Sequence, residues 1–385
     1  MIVNVEFFDE NPLENVITSL NYKVDKTIFF GYSQILKERM ECTRKFLKEI
    51  CGVQTVEYCV VDEVNLPEIL ECIATKIQNE LAQGNQVFFD LTGGEGLLLV
   101  VFGILSKEFQ ASMHLYDIPS NQIFEYGYEG SALLSKTAEL DPIRLDLDGF
   151  VSLYGGVINY RMKKDYKNTW SQEDIEDIEN MWKLSRKYSA KWVHYSSLLR
   201  KFAPDSQLKV CAEEKQLIQE MNKNKQTGRL DCFNQFLKDC EKLGFLKSVL
   251  LERGVCQFSY KSTVIQNYFW DGGSILEMYA FVQMSKEDFD DCRVGVHVDW
   301  DGTIHHGKGA DVLNEVDIMA IRNNIPTLVS CKIGNVDQMA LYELETVASR
   351  FGGKYAKKVL AVAKKAAQAH LLRAEEMGIE IRLTK

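Results

Sequence analysis

Apolar and polar positions along the first third of the chain follow a strand-then-helix rhythm. Ile2–Phe8, Thr27–Gly31, Val56–Val61 and Gln86–Asp90 are short apolar runs that predict buried strands. Pro12–Leu20, Ile35–Ile50, Pro67–Leu81 and Leu97–Phe109 between them carry helical spacing. Ser112–Asp117 and Gln122–Tyr126 add two further strands. Strands alternating with helices predict an α/β, mostly parallel sheet covered on both faces. Such sheets bind ligands at the carboxyl ends of their strands.

The rhythm changes after residue 150. Glu173–Lys187 predicts a polar helix and Cys232–Leu243 an amphipathic one, followed by Gly244-Phe245-Leu246, a short strand, Gly254 and a second strand at Val255–Tyr260. Helix followed by a two-stranded wing fits a winged-helix element, and a small helical linker fits equally well. From Gly272 the mixed pattern returns, with a helix at Ile275–Met284, a strand at Arg293–Trp300, a helix at Leu341–Phe351, a strand at Lys358–Val362 and a helix at Ala366–Met377. Three units are expected: 1–150, 151–265 and 266–385.

Within the third unit, Asn314-Glu315-Val316-Asp317-Ile318-Met319-Ala320-Ile321 and Thr327-Leu328-Val329-Ser330-Cys331-Lys332-Ile333 flank a turn at Arg322–Pro326. This predicts a hairpin with Asp317 at the head of one strand and Lys332 near the end of the other. Side chains alternate faces, so Leu328, Ser330 and Lys332 share one face. A lysine in an apolar strand needs a charge partner. A carboxylate beside it, with a divalent cation and a phosphodiester, makes the core of a metal-dependent nuclease. The same two residues also suit a structural ion pair.

Composition adjusts this picture at three points. No apolar run is long enough to span a bilayer and no signal pattern opens the chain, so a cytoplasmic protein is expected, with no membrane partner. The ten cysteines are scattered without a C-x-x-C pair, which favours buried reduced thiols over zinc or disulfides. The net charge is −10, but residues 1–150 carry −13 and the remainder +3. The later part is therefore closer to what a phosphate backbone demands.

Phe88-Phe89-Asp90-Leu91-Thr92-Gly93-Gly94-Glu95-Gly96 follows a buried strand and opens a helix. Adjacent glycines permit close backbone approach, and N–H groups at a helix start favour an anion. The spacing and lysine of a Walker A loop are absent. An ordinary capped strand-to-helix turn is the other reading. Gly31-Tyr32-Ser33-Gln34 and Asp9-Glu10-Asn11-Pro12 follow the second and first strands and would converge on the same edge.

The D-L-T-G-G turn resembles that of the CARF domain of CRISPR-associated proteins, and the N-E-V-D…S-C-K segment resembles the PD-(D/E)XK, restriction-endonuclease-like nucleases. Together they look like the cyclic-oligoadenylate-activated effector nucleases of type III CRISPR antiviral defence, the DUF1887-like group. The resemblance implies a Rossmann-like CARF domain and a C-terminal nuclease domain, with a homodimer binding one cyclic oligoadenylate, the tetra-adenylate above all. By position Thr92, Gly93, Gly94 and Glu95 would line that site, with Asn11, Tyr32, Ser33 and Gln34 as neighbours. Glu95 and Asp90 would then be held away from the phosphates.

In the nuclease domain the resemblance assigns the helix glutamate to Glu277, the hairpin aspartate to Asp317 and the lysine to Lys332. The acidic residue two before the lysine is missing, and Ser330 stands there. Glu315 is placed to compensate, and the Cys331 main-chain carbonyl to act as a ligand. Oxygen ligands favour Mn²⁺ or Mg²⁺. The implied substrate is single-stranded DNA or RNA. Two other readings stand beside this one: a ligand-responsive transcription regulator reading DNA through residues 190–260, and an N-terminal domain that cuts its own cyclic ligand. His305-His306, a Lys354/Lys357/Lys358 patch, and Tyr342, Glu343 or Glu345 are lesser candidates.

Overall fold

The computed structural model describes the chain apart from residues 33–34, 62–63, 162–169, 204–206, 224–228, 253, 271–272, 305–312 and 385. The first unit comprises β1 (Ile2–Phe7), α1 (Ile17–Asn21), β2 (Lys26–Gly31), α2 (Ile35–Glu49), β3 (Thr55–Val60), α3 (Leu66–Ala82), β4 (Gln86–Asp90), α4 (Gly96–Phe109), β5 (Ser112–Asp117), β6 (Gln122–Glu129) and β7 (Ala132–Thr137). Its sheet runs β3-β2-β1-β4-β5-β6-β7. The first five of these strands in sheet order pair in parallel, and β6 and β7 add on antiparallel. This is a Rossmann-like order whose direction of winding reverses between β1 and β4, so the loops after those strands open side by side. Alternation sorts the strands onto two cores: Val3, Val5, Val87 and Phe89 pack with α3 and α4, whereas Phe8, Phe29 and Phe88 face the opposite layer.

The chain continues through α5 (Leu147–Leu153) and β8 (Val157–Ile158), then α6 (Gln172–Lys187), α7 (Trp192–Phe202), β9 (Lys209–Glu213), α8 (Glu214–Lys223), α9 (Leu230–Lys242), β10 (Leu246–Glu252), β11 (Val255–Tyr260) and α10 (Thr263–Trp270). A three-stranded sheet ordered β10-β11-β9, against α7 to α9, is a winged-helix topology. Ser171 and Asp174 start α6 with a reciprocal capping box.

The third unit contains α11 (Ser274–Met284), β12 (Asp291–Asp299), β13 (Leu313–Arg322), β14 (Ile325–Lys332), α12 (Gln338–Phe351), a 3₁₀ turn at Gly353–Tyr355, β15 (Lys357–Val362), α13 (Gln368–Glu376) and β16 (Ile379–Leu383). Its six-stranded sheet runs β16-β15-β14-β13-β12-β8, so β8 reaches it from before the winged helix. Ile318, Ala320, Val329 and Val359 pack on the α11 side; Met319, Ile321, Leu328 and Leu360 pack on the α12 side. Asn323 and Asn324 take the hairpin turn at φ 51° and 62°, a left-handed conformation that asparagine tolerates. Buried Asn324 accepts from the Leu145 amide (2.7 Å) and donates to the Ile143 carbonyl (2.9 Å), which ties the hairpin tip to the strap from the first unit.

Several sequence expectations need correction. The first helix begins at Ile17 rather than Pro12, because residues 12–16 turn with the loop after β1. Strand β7 carries no apolar–polar alternation, since all six of its residues are exposed. Asp317 lies in the middle of its strand, which starts at Leu313. All ten cysteines are unpaired, but Cys42, Cys72 and Cys211 are exposed rather than buried. Among the described residues no helix is long and apolar enough to cross a membrane.

Candidate functional site

Pairing between β13 and β14 runs from Arg322↔Ile325 to Ile318↔Val329. One step beyond the last pair, the Asp317 carboxylate takes over from the ladder. Its Oδ2 accepts the Cys331 amide at 2.6 Å and the Ser330 hydroxyl at 3.3 Å. With both bonds on Oδ2, Oδ1 is the oxygen offered to a cation. The Lys332 carbonyl accepts the Ala363 amide at 3.2 Å on the β15 side. Successive carbonyls alternate along a strand, so the Cys331 carbonyl turns to the β13 side, where Asp317 stands.

The charges here meet around Cys331. Burial pushes its thiol well above the ordinary range; Asp317 and Glu277 add to that push, and Lys332 opposes it. Burial also raises the Asp317 carboxyl, opposed first by the Cys331 amide and then by Lys332, with Glu315 acting in the raising direction. Glu277 is carried by α11, which packs on β13 and β14. Exposed Glu315 faces His297 of β12 at 3.8 Å. The Lys332 ammonium lies 3.9 Å from Glu343 of α12, so Glu343 is the member of the Tyr342/Glu343/Glu345 trio that meets the lysine. Tyr342 instead bonds Gln338 and Arg373, and Glu345 pairs with Lys358.

Among the described residues no three His, Cys, Asp or Glu side chains gather closely enough to hold a metal by themselves. The donors present are two carboxylates and a main-chain carbonyl. That set fits Mg²⁺ or Mn²⁺, which retain several waters and need only one or two carboxylates. The Lys354/Lys357/Lys358 patch is corrected: Lys354 pairs with Glu14 of the first unit at 2.7 Å, and Lys358 is held by Glu345 and the Met377 carbonyl. His305 and His306 lie outside the described residues.

At the other candidate site, the turn after β4 packs directly on the loop after β1. A Cβ on Gly93 would stand 3.1 Å from the Cβ atoms of Asp9 and Glu14, and one on Gly94 (φ 121°) 3.1 Å from Phe7. A side chain at either position would therefore press on β1 or the loop after it, and at Gly94 the positive φ also favours glycine. The Gly94 amide donates to Asp9 Oδ2 at 3.1 Å. Thr92 is turned inward: its hydroxyl accepts the Tyr116 amide at 2.9 Å, satisfying a buried donor of β5. Asp90 is buried and accepts the Thr92 amide, while Glu95 is exposed at the start of α4. Asn11 is buried, with its Oδ1 accepting from Tyr154, and so faces the seam with the third unit. Tyr32 is buried edge-on against Phe7 at 5.5 Å. Ser33 and Gln34 lie outside the described residues. The sequence places the Asp9–Pro12 loop at this edge without giving Asp9 a partner, and it carries no signal for Glu14 beyond a position in the loop after β1.

Residues 266–383 match the family model of the Card1-like endonuclease domain. No curated protein matches the chain by sequence. In fold, the chain is similar to protein VC1899 from Vibrio cholerae (TM-score 0.68, 16% identity, covering 99% of this chain and 93% of that one). It is also similar to Can2 from Sulfobacillus thermosulfidooxidans, solved in complex with cyclic tetra-adenylate (TM-score 0.64, 16% identity, covering 99% and 95%).

Proposed function

We propose that this chain, whose residues 266–383 match the Card1-like endonuclease domain, is a metal-dependent nuclease switched on by a cyclic oligoadenylate bound to its first unit, in type III CRISPR defence. The observation that carries the reading is the Asp317 carboxylate bonded to the Cys331 amide and the Ser330 hydroxyl, directly before Lys332, inside the matched segment. The units are a CARF-like sensor (1–150), a winged-helix linker (151–265) and the nuclease (266–385). The fold shared with a cyclic tetra-adenylate complex supports that ring as activator.

Asp317, Glu277 and the Cys331 carbonyl would hold Mn²⁺ or Mg²⁺. When bound, the cation supplies Lewis acidity toward the scissile phosphate. The Cys331 amide and Ser330 hydroxyl fix the Asp317 carboxylate in place. Lys332 stabilises negative charge developing on a non-bridging phosphate oxygen, and Glu343 orients its ammonium. Glu315 adds negative charge in place of the carboxylate missing at Ser330. Exposed Lys364 and Lys365, directly after the Ala363 amide that bonds Lys332, suit the backbone of single-stranded DNA or RNA.

The sensor would act as a homodimer through α4. Val100 is 55% exposed and Ile104 45% exposed on its outer face, and the Gly103 between them leaves open space where a Cβ would stand. Such an apolar stripe suits a second copy of itself. The activator site would use the turn at Gly93, Gly94 and Glu95, with Thr92 bracing it from within and Asn11 and Tyr32 buried behind it.

The transcription-regulator reading gains a real winged helix. Yet the exposed residues of α9 include Asp231 and Glu241 as well as Lys238 and Lys242, a balanced surface rather than a basic reading face. The test is cleavage of labelled single strands with Mn²⁺, with and without cyclic tetra-adenylate, beside Lys332→Ala and a chelator control. Cutting that needs activator, metal and Lys332 supports the nuclease. Sequence-specific duplex binding without cutting supports the regulator.

A further inference from the structure

The turn that would meet the activator is bonded, through one loop, to the turn that precedes β15. Asp9 makes the first contact, accepting the Gly94 amide on Oδ2 and the Asn11 amide on Oδ1 (2.9 Å). Asn15 clasps the Asp9 main chain on both sides, at 2.7 and 2.8 Å. The same loop then delivers Glu14, whose side chain is wholly buried. The Glu14 carboxylate receives the Tyr355 hydroxyl at 2.6 Å and the Lys354 ammonium at 2.7 Å. Lys354 and Tyr355 belong to the 3₁₀ turn between α12 and β15. Helix α12 carries Glu343, the partner of Lys332, and β15 pairs along β14 up to Lys332↔Val362.

We propose that Asp9 and Glu14 form an autoinhibitory latch: Glu14 clamps the 3₁₀ turn of the nuclease unit, and an anion taking the Gly94 amide from Asp9 loosens that clamp. The proposal rests on the activator reading above and specifies its regulation. Asp9 and an activator phosphate are both anionic acceptors for one N–H, so they compete. Once displaced, the Asp9 carboxylate, on the loop that presents Glu14, loses its bond to the Gly94 amide. A cleft of about 640 Å³, lined by Asp9, Asn11, Tyr154, Glu345, Lys354 and Lys358, lies beside the latch.

Coupling of this kind is reciprocal: whatever weakens the clamp favours both the active arrangement and the activator. The experiment measures cutting by the full chain with Mn²⁺ in the absence and presence of cyclic tetra-adenylate, together with activator affinity, for wild type, Glu14→Gln and Lys354→Ala. The expected result is an activator-free rate raised threefold or more, with tighter activator binding. Misfolding cannot produce that gain. If Glu14→Gln does not fold, Lys354→Ala, more than half exposed, decides. Activator-free rates raised less than threefold in the folded variants overturn the latch. A wild type that does not respond to activator at all refutes the functional reading instead, so the two failures are distinct.

Discussion

The Asp317 carboxylate accepts the main-chain amide of Cys331 at 2.6 Å, one step past the last paired residues of the hairpin. One side chain therefore closes the end of the ladder and is also the carboxylate proposed to hold the cation. Asp317→Asn keeps an acceptor for that amide but loses the charge. Its cleavage rate should fall by about 10²-fold or more with little change in melting temperature. Asp317→Ala also strands the amide, a further cost of about 1–3 kcal/mol. Rate and denaturant midpoint measured together separate the two roles.

Lys332 and Glu343 lie 3.9 Å apart near the surface. Lys332→Ala should lower the rate by about 10²–10³-fold, the range for removing one donor to a transition-state oxyanion. Glu343→Gln removes only an orienting charge and should cost about tenfold or less. Equal losses in single-turnover assays would show that Glu343 does more than position the ammonium.

Ser330 donates to the oxygen of Asp317 that also holds the Cys331 amide. Ser330→Asp restores the carboxylate whose absence leaves the site with a reduced donor set. The Mn²⁺ concentration at half-maximal rate should drop by about tenfold. An unchanged metal dependence would mean that Glu315 already supplies the charge.

Val100 and Ile104 make an apolar stripe on the outer face of α4. Val100→Glu should convert a dimer to monomers in sedimentation velocity and weaken activator binding by at least tenfold. A variant that stays dimeric would move the interface off α4.

Burial, with Asp9 adding to it, pushes the Glu14 carboxyl from 4.5 up to about 7, although Lys354 and Tyr355 pull the other way. The folded chain thus holds this proton more tightly than the unfolded chain does. Its stability contribution is greatest below about 4.5 and is lost as pH rises to about 7. The melting temperature of wild type relative to Glu14→Gln should therefore fall across that window. A constant difference would show that Glu14 does not titrate there.

Much of the fold was legible because local patterns and tertiary packing agree. The alternation in Val87-Phe88-Phe89 feeds two cores at once, and the Asn323-Asn324 turn can adopt only a few shapes. The hairpin pairing of Asp317 with the Ser330–Lys332 segment could likewise be read from spacing. Strand β7 could not, since an exposed edge carries no apolar period. Nor could the roles of Thr92, Lys354 and Lys358: each is settled by a partner far away in sequence, namely Tyr116, Glu14 and Met377, respectively. Glu14 escaped for the same reason.

Strand β8 contributes only Val157 and Ile158, yet it pairs with Asp299 and Val298 along the outer edge of β12, and the Asn159 amide extends the contact to the His297 carbonyl. An expression fragment cut to residues 266–383 would leave that border uncovered, with open amides and carbonyls beside apolar side chains. Such a piece invites strand addition from its neighbours and precipitation. A soluble catalytic fragment therefore has to begin ahead of residue 157 and carry the winged helix with it.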